Sequence, residues 1–129
     1  MADEENESVL ATGGCLCGAL RYRVRGPLRD VLICHCRFCQ RMNTYAAAYT
    51  ACAIADLEII SARTLRWYRS SPGARRGFCS KCGSALFWEA APPTHISISA
   101  GSLNEPTGLK IEGHRFLAQR GDYEASDAV

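Results

Sequence analysis

Between residues 20 and 25 apolar and basic positions alternate with a period of two, Leu20, Tyr22 and Val24 interleaving with Arg21, Arg23 and Arg25. That spacing predicts a half-buried strand, one face in the core and the other lined with arginine, ended by Gly26-Pro27. Val31-Leu32-Ile33 predicts a second strand that delivers the chain to Cys34, and a short helical turn is expected over residues 36–42. Further strands are predicted at residues 45–50, 57–61 and 64–69, although Ala46, Ala47 and Ala48 would suit a helix equally well. Ser70-Ser71-Pro72-Gly73 is a turn signal, after which residues 75–78 and 85–88 flank a cysteine-bearing turn as two strands. Pro92-Pro93 breaks the chain before the alternating His95-Ile96-Ser97-Ile98-Ser99, and residues 109–116 are the last candidate strand. The pattern is that of an all-β chain with no internal repeat beyond the recurring cysteine turn, no low-complexity tract and no interdomain linker.

Composition narrows the picture to one soluble core. A length of 129 residues with 47% hydrophobic and 22% charged positions leaves room for a single domain and excludes wholesale disorder and fibrous designs. No apolar run approaches the roughly 18 to 20 residues that span a bilayer. The amino terminus, Met1-Ala2-Asp3-Glu4-Glu5-Asn6-Glu7, is the opposite of a basic secretory leader, so a cytoplasmic location without membrane contact is expected.

The formal charge of +2 hides an asymmetry. All 15 basic residues but only six of the 13 acidic ones lie between Ser8 and Gly121, so acidic ends flank a strongly basic middle that should attract anions. Arginine supplies 13 of those cations, and its planar fork suits carboxylate and phosphate groups.

Cysteine changes the picture most. Seven of the eight fall in tight clusters: Cys15-Leu16-Cys17, Cys34-His35-Cys36-Arg37-Phe38-Cys39 and Cys79-Ser80-Lys81-Cys82, with Cys52 alone. In a reducing compartment such spacings read as metal ligands before disulfides, because neighbouring thiolates converge readily on one ion. Thiolate-rich sets point to zinc, with iron and iron-sulfur centres next. A redox dithiol at Cys79 and Cys82 is the non-metal alternative, without the helix-opening context of a thioredoxin-type motif.

Three motifs in order then carry a resemblance: Gly13-Gly14-Cys15-Leu16-Cys17-Gly18-Ala19-Leu20-Arg21-Tyr22, the Cys34 to Cys39 run, and Phe78-Cys79-Ser80-Lys81-Cys82-Gly83-Ser84. With Ala100-Gly101-Ser102-Leu103-Asn104-Glu105-Pro106 they make residues 10–117 resemble the glutathione-dependent formaldehyde-activating enzyme family, which includes centromere protein V. The resemblance implies a small zinc-stapled domain of several antiparallel sheets around two metal sites. It assigns Cys15, Cys17, Cys79 and Cys82 to a structural zinc and Cys34, Cys36 and Cys39 to a catalytic zinc, two ions per chain. Donor counting agrees, since four thiolates close a tetrahedral site and three leave a position for substrate. The organisation expected is an acidic flexible amino terminus at residues 1–9, a zinc-binding β domain at 10–117 and an acidic tail at 118–129.

The activity the resemblance implies is that of a carbon-sulfur lyase, S-(hydroxymethyl)glutathione synthase-like, joining the thiol glutathione to the small aldehyde formaldehyde. Arg37 and Arg41, beside the third ligand, are placed to meet a glutathione carboxylate or a developing alkoxide. Cys52 is read as a small buried hydrophobe, with a fourth ligand to the second ion as the competing role. His35 is expected in a supporting or surface position, and His95 and His114 as structural histidines. Two other classes remain: a zinc-stabilised carrier or structural protein without catalysis, and a nucleic-acid module built on Arg21, Arg23, Arg25, Arg75 and Arg76. The chain lacks the long basic tails and interleaved stacking residues that would favour nucleic acid. Oligomeric state is not legible.

Overall fold

A computed structural model describes residues 9–124. Of the acidic ends expected from the sequence, residues 1–8 and 125–129 lie outside the described residues. Strands β1 (Ala11–Gly14), β2 (Arg21–Val24) and β5 (Leu57–Ser61) form an antiparallel sheet in the order β1-β2-β5. The other strands, β3 (Val31–Cys34), β4 (Ala47–Ala53), β6 (Leu65–Ser71), β7 (Ala74–Cys79), β8 (Ala85–Ala90), β9 (His95–Ser99) and β10 (Ile111–Arg115), build a larger sheet. Its order is β10-β3-β4-β9-β8-β7-β6. Among the described residues one α-helix, α1 (Arg37–Asn43), joins β3 to β4.

The all-β expectation holds, in two sheets, and one pairing departs from the antiparallel pattern. β10 runs parallel to β3. The reason is topological: β9 already has β4 and β8 on its two edges, so the chain crosses back through residues 100–110 to the free edge of β3. β1 carries no strand signal in Ala11-Thr12-Gly13-Gly14 and is extended by pairing with β2, where the Leu10 amide donates to the Val24 carbonyl at 2.8 Å.

Register explains how the large sheet divides its labour. Cα partners Cys52 and Ile96, Thr50 and Ile98, and Phe87 and Ile98 share the face that packs on the small sheet. Leu20, Tyr22 and Val24 of the small sheet meet them there and are at most 1% exposed. Each fully buried aliphatic or aromatic side chain of this kind contributes roughly 1.5 to 3 kcal/mol. The Tyr22 ring packs edge-on to Phe87 at 5.5 Å, and its hydroxyl, 2.7 Å from Ser102 Oγ, is satisfied despite burial.

The opposite face follows the alternate positions: it carries Cys34, Tyr49, Ser97, Trp88 and Arg76, of which Ser97, Trp88 and Arg76 are successive cross-strand partners, while Tyr49 pairs with Leu32 and Ser99 and Cys34 with Ala47. There α1 buries Cys39 against Ala47 and Tyr49, a second and smaller core. The two thiol clusters therefore sit apart, one between the sheets' turns and one on the outer face of the large sheet.

Candidate metal centres and the adjoining cavity

Cys15 and Cys17 lie on the turn from β1 to β2, and Cys79 and Cys82 at the end of β7 and on the turn to β8. Their four sulfurs lie within 4.8 Å of one another. Cys17 Sγ is 3.6 Å from Cys15 Sγ and 3.8 Å from Cys79 Sγ. A tetrahedron with metal-sulfur arms of about 2.3 Å has edges of about 3.8 Å, so this spacing fits a single ion held by four thiolates. Both turns have the same construction. Gly18 and Gly83 follow the last cysteine of each with φ of +82° and +81°, the left-handed conformation that glycine adopts without strain.

The surroundings of this cluster stabilise thiolate. The Leu20 amide donates to Cys15 Sγ at 3.3 Å, Ser84 Oγ lies 3.1 Å from Cys82 Sγ, and Thr64 Oγ1 lies 3.3 Å from Cys79 Sγ. The Ser84 hydroxyl, aided by backbone amides, holds the Cys82 thiol down at about 5, and Thr64 lowers Cys79. A backbone contact to Ala19 works to lower Cys17, but desolvation and the neighbouring thiols push it up to about 11. Four adjacent thiols cannot all ionise against mutual repulsion, and a bound cation removes that conflict.

The second cluster is local. β3 ends at Cys34, Cys36 is the N-cap of α1, and Cys39 lies in its first turn; the three sulfurs fall within 4.8 Å of one another. Cys36 Sγ accepts from the Cys39 amide at 3.4 Å, the position an Asp or Ser oxygen takes in an ordinary cap. Burial works against ionisation of Cys36, but that amide and the adjacent thiols bring it below its ordinary value. Burial and the neighbouring thiols push Cys39 up to about 12. All eight cysteines are free thiols.

His35 supports this cluster from within. It is 2% exposed, and its Nε2 lies 2.9 Å from His114 Nδ1 of β10. Gln40 Nε2 donates to the carbonyls of His35 and Gln119, each at 2.7 Å, tying α1 to the end of the domain. His95 is exposed, and its Nδ1 lies 3.2 Å from Thr94 Oγ1.

A cavity of about 330 Å³ opens beside the three thiols. Cys34, Cys36 and Cys39 line it together with Tyr49, Trp88 and Arg76, and Arg29 and Arg115 also reach its wall. Arg37 and Arg41 do not. They are exposed on α1 and line a separate shallow depression with Phe38, Met42 and Tyr68. Cys52 belongs to the main core at 3% exposure and to neither cluster. Tyr49 and Trp88 were not readable as site residues, and Arg76 was legible only as part of a basic surface: their place at this cavity lies in sheet register, which only strand pairing reveals. The arginine stripe is engaged within the fold, since Glu58 binds Arg23 at 2.8 Å and Arg25 at 3.3 Å. Arg75 pairs with Glu89 at 2.9 Å and stands 3.9 Å over the Trp67 ring. Among the described residues no helix is long and apolar enough to cross a membrane.

Comparison with solved structures finds a crystal structure of a Rhodobacter sphaeroides protein with a TM-score of 0.63 and 25% sequence identity. The match covers 78% of this chain and 97% of that one. Residues 10–119 match the family model described as glutathione-dependent formaldehyde-activating enzyme. That stretch takes in both thiol clusters and every strand of the two sheets, and the chain belongs to this family.

Proposed function

We propose that the protein is a zinc-dependent carbon-sulfur lyase-type enzyme that joins glutathione to formaldehyde as S-hydroxymethylglutathione. In this reading Cys34, Cys36 and Cys39 hold the catalytic zinc, and Cys15, Cys17, Cys79 and Cys82 hold a structural one. Family membership ties the chain to glutathione- and formaldehyde-related chemistry. The observation that carries the reading is the inequality of the clusters: four sulfurs converge in one, while among the described residues three converge in the other, beside a cavity. Four thiolates complete a tetrahedral zinc, whereas three leave one position for a ligand. Clusters of free thiols suit the reducing cytoplasm.

Zinc in the three-thiolate site would supply the Lewis acidity that keeps an incoming thiol as thiolate at neutral pH. In the addition, sulfur attacks the aldehyde carbon, a carbon-sulfur bond forms, the carbonyl electron pair moves to oxygen, and in net one proton passes from the thiol to that oxygen. No oxidant or reductant is consumed. The chain's part is to orient and to protonate. Burial holds the Tyr49 phenol above its ordinary value, so it stays protonated. Because its oxygen accepts from Arg76, its own proton is left to pass to the alkoxide, and the proton given up by the thiol restores the phenol, so that one proton moves in all. Trp88 and Phe38 supply apolar wall. Arg37 and Arg41, on α1 outside the cavity, draw an anionic thiol toward its mouth.

Exchange spectroscopy on labelled formaldehyde with glutathione tests this reading. The zinc-loaded protein should speed adduct formation above the uncatalysed rate in proportion to its concentration, and Cys39→Ser should abolish the gain. Adduct binding without any acceleration would replace the enzyme with a carrier.

A further inference from the structure

Arg76 is 7% exposed and permanently charged, yet none of the described carboxylates pairs with it. The one ion pair made by β7 belongs to its neighbour, Arg75 with Glu89. Nη1 donates to the Tyr49 hydroxyl at 3.3 Å, a neutral partner, and Nε is buried with no hydrogen-bond partner among the described residues. Folded proteins seldom leave such a group unmatched, because an uncompensated buried charge is strongly destabilising. Arg76 also lines the cavity that holds Cys34, Cys36 and Cys39.

The other arginines of the wall are engaged differently. Arg29 donates to the Tyr49 carbonyl at 3.0 Å and lies 3.8 Å from Glu112, while Arg115 stands over the Phe116 ring at 5.9 Å. With Nη1 of Arg76 occupied by Tyr49, the edge formed by Nε and Nη2 remains. That edge is the one with which Arg23 grips both oxygens of Glu58, at 2.8 and 3.0 Å. It matches a carboxylate in two parallel hydrogen bonds.

We propose that Arg76 is the anion anchor of the cavity, taking a carboxylate of the thiol-bearing ligand on its Nε and Nη2 edge while Tyr49 fixes the direction of the fork. The thiol substrate is then selected as a thiol that also carries a carboxylate. This rests on the reading of the three-cysteine cluster as an open metal site.

Three probes on the cobalt-loaded protein separate the two ideas: S-methylglutathione, which has carboxylates and no thiol, 2-mercaptoethanol, which has a thiol and no carboxylate, and glutathione, which has both. Calorimetry should show Arg76→Gln weakening S-methylglutathione and glutathione by at least about tenfold and leaving 2-mercaptoethanol unchanged. Arg76→Lys, which keeps the charge and loses the fork, should fall between, and Tyr49→Phe should weaken the same two ligands by a smaller factor. If these variants bind S-methylglutathione as the wild type does, or the wild type does not bind it, the anchor is overturned, even where thiols still change the cobalt spectrum. If S-methylglutathione binding depends on Arg76 but no thiol alters that spectrum, the anchor stands and the open metal site fails. Near-ultraviolet circular dichroism identifies any variant that has lost its fold, and Arg76→Lys and Tyr49→Phe decide in its place.

Discussion

Cys34 and Cys52 face opposite sides of the large sheet. Cys34 is the register partner of Ala47, and Cys52 lies five positions further along the same strand, an odd number that turns its thiol into the main core. Cys52→Ala should therefore keep both metal ions and cost only about 1 kcal/mol, the loss of a small buried group. Metal analysis beside denaturant unfolding checks both parts; loss of one ion would return Cys52 to the ligand set.

The two clusters should fail in different ways. Cys17→Ser or Cys82→Ser removes a thiol from the four-cysteine cluster that joins the small sheet to the large one. Structural zinc sites contribute on the order of 10 kcal/mol to folding, comparable to the whole stability of a domain, so these variants should be unfolded at neutral pH. Cys39→Ser should instead stay folded and lose one metal, because its cluster lies within one short segment on the outer face. Circular dichroism with metal analysis distinguishes the cases.

Acid should open the four-thiol cluster late. Folded Cys82 stays ionised down to about 5, whereas the thiol of an unfolded chain holds its proton up to about 8.5. Between these values the unfolded state binds more protons, so the contribution to stability is full above the unfolded value and shrinks as pH falls, vanishing below the folded one. Metal release and unfolding should coincide as pH drops toward about 5, followed with a chromophoric chelator and near-ultraviolet dichroism.

Arg37 and Arg41 should act at a distance. Both lie outside the cavity, so Arg41→Ala should weaken glutathione binding at low salt and have little effect at physiological ionic strength, where the Debye length is about 8 Å. An undiminished effect of Arg41→Ala at high salt would put its guanidinium in direct contact with the ligand.

What the amino-acid sequence makes legible is local. The alternation of Leu20, Tyr22 and Val24 with arginine named a strand and its buried face, and the cysteine spacings named both clusters. The fate of Arg76 could not be read, because Arg75 and Arg76 look alike in sequence and differ only in which face of β7 each occupies. Nor could the burial of His35, flanked by two cysteines on a segment of three residues. Its partner His114 stands on β10, and only the parallel crossover to β3 brings the two rings together.

The wide sequence separation of the four-thiol cluster also dictates an order of assembly. Cys17 and Cys79 are 62 positions apart, whereas Cys36 and Cys39 are three. Closing the long loop costs more entropy than closing the short one, and on the ribosome the distant set cannot be complete until Cys82 has emerged. If both clusters bind metal, the segment from Cys34 to Cys39 should be able to take its ion first, and the set that joins the two sheets should fill last. Pulsed alkylation during refolding with zinc should find Cys34, Cys36 and Cys39 protected before Cys15, Cys17, Cys79 and Cys82.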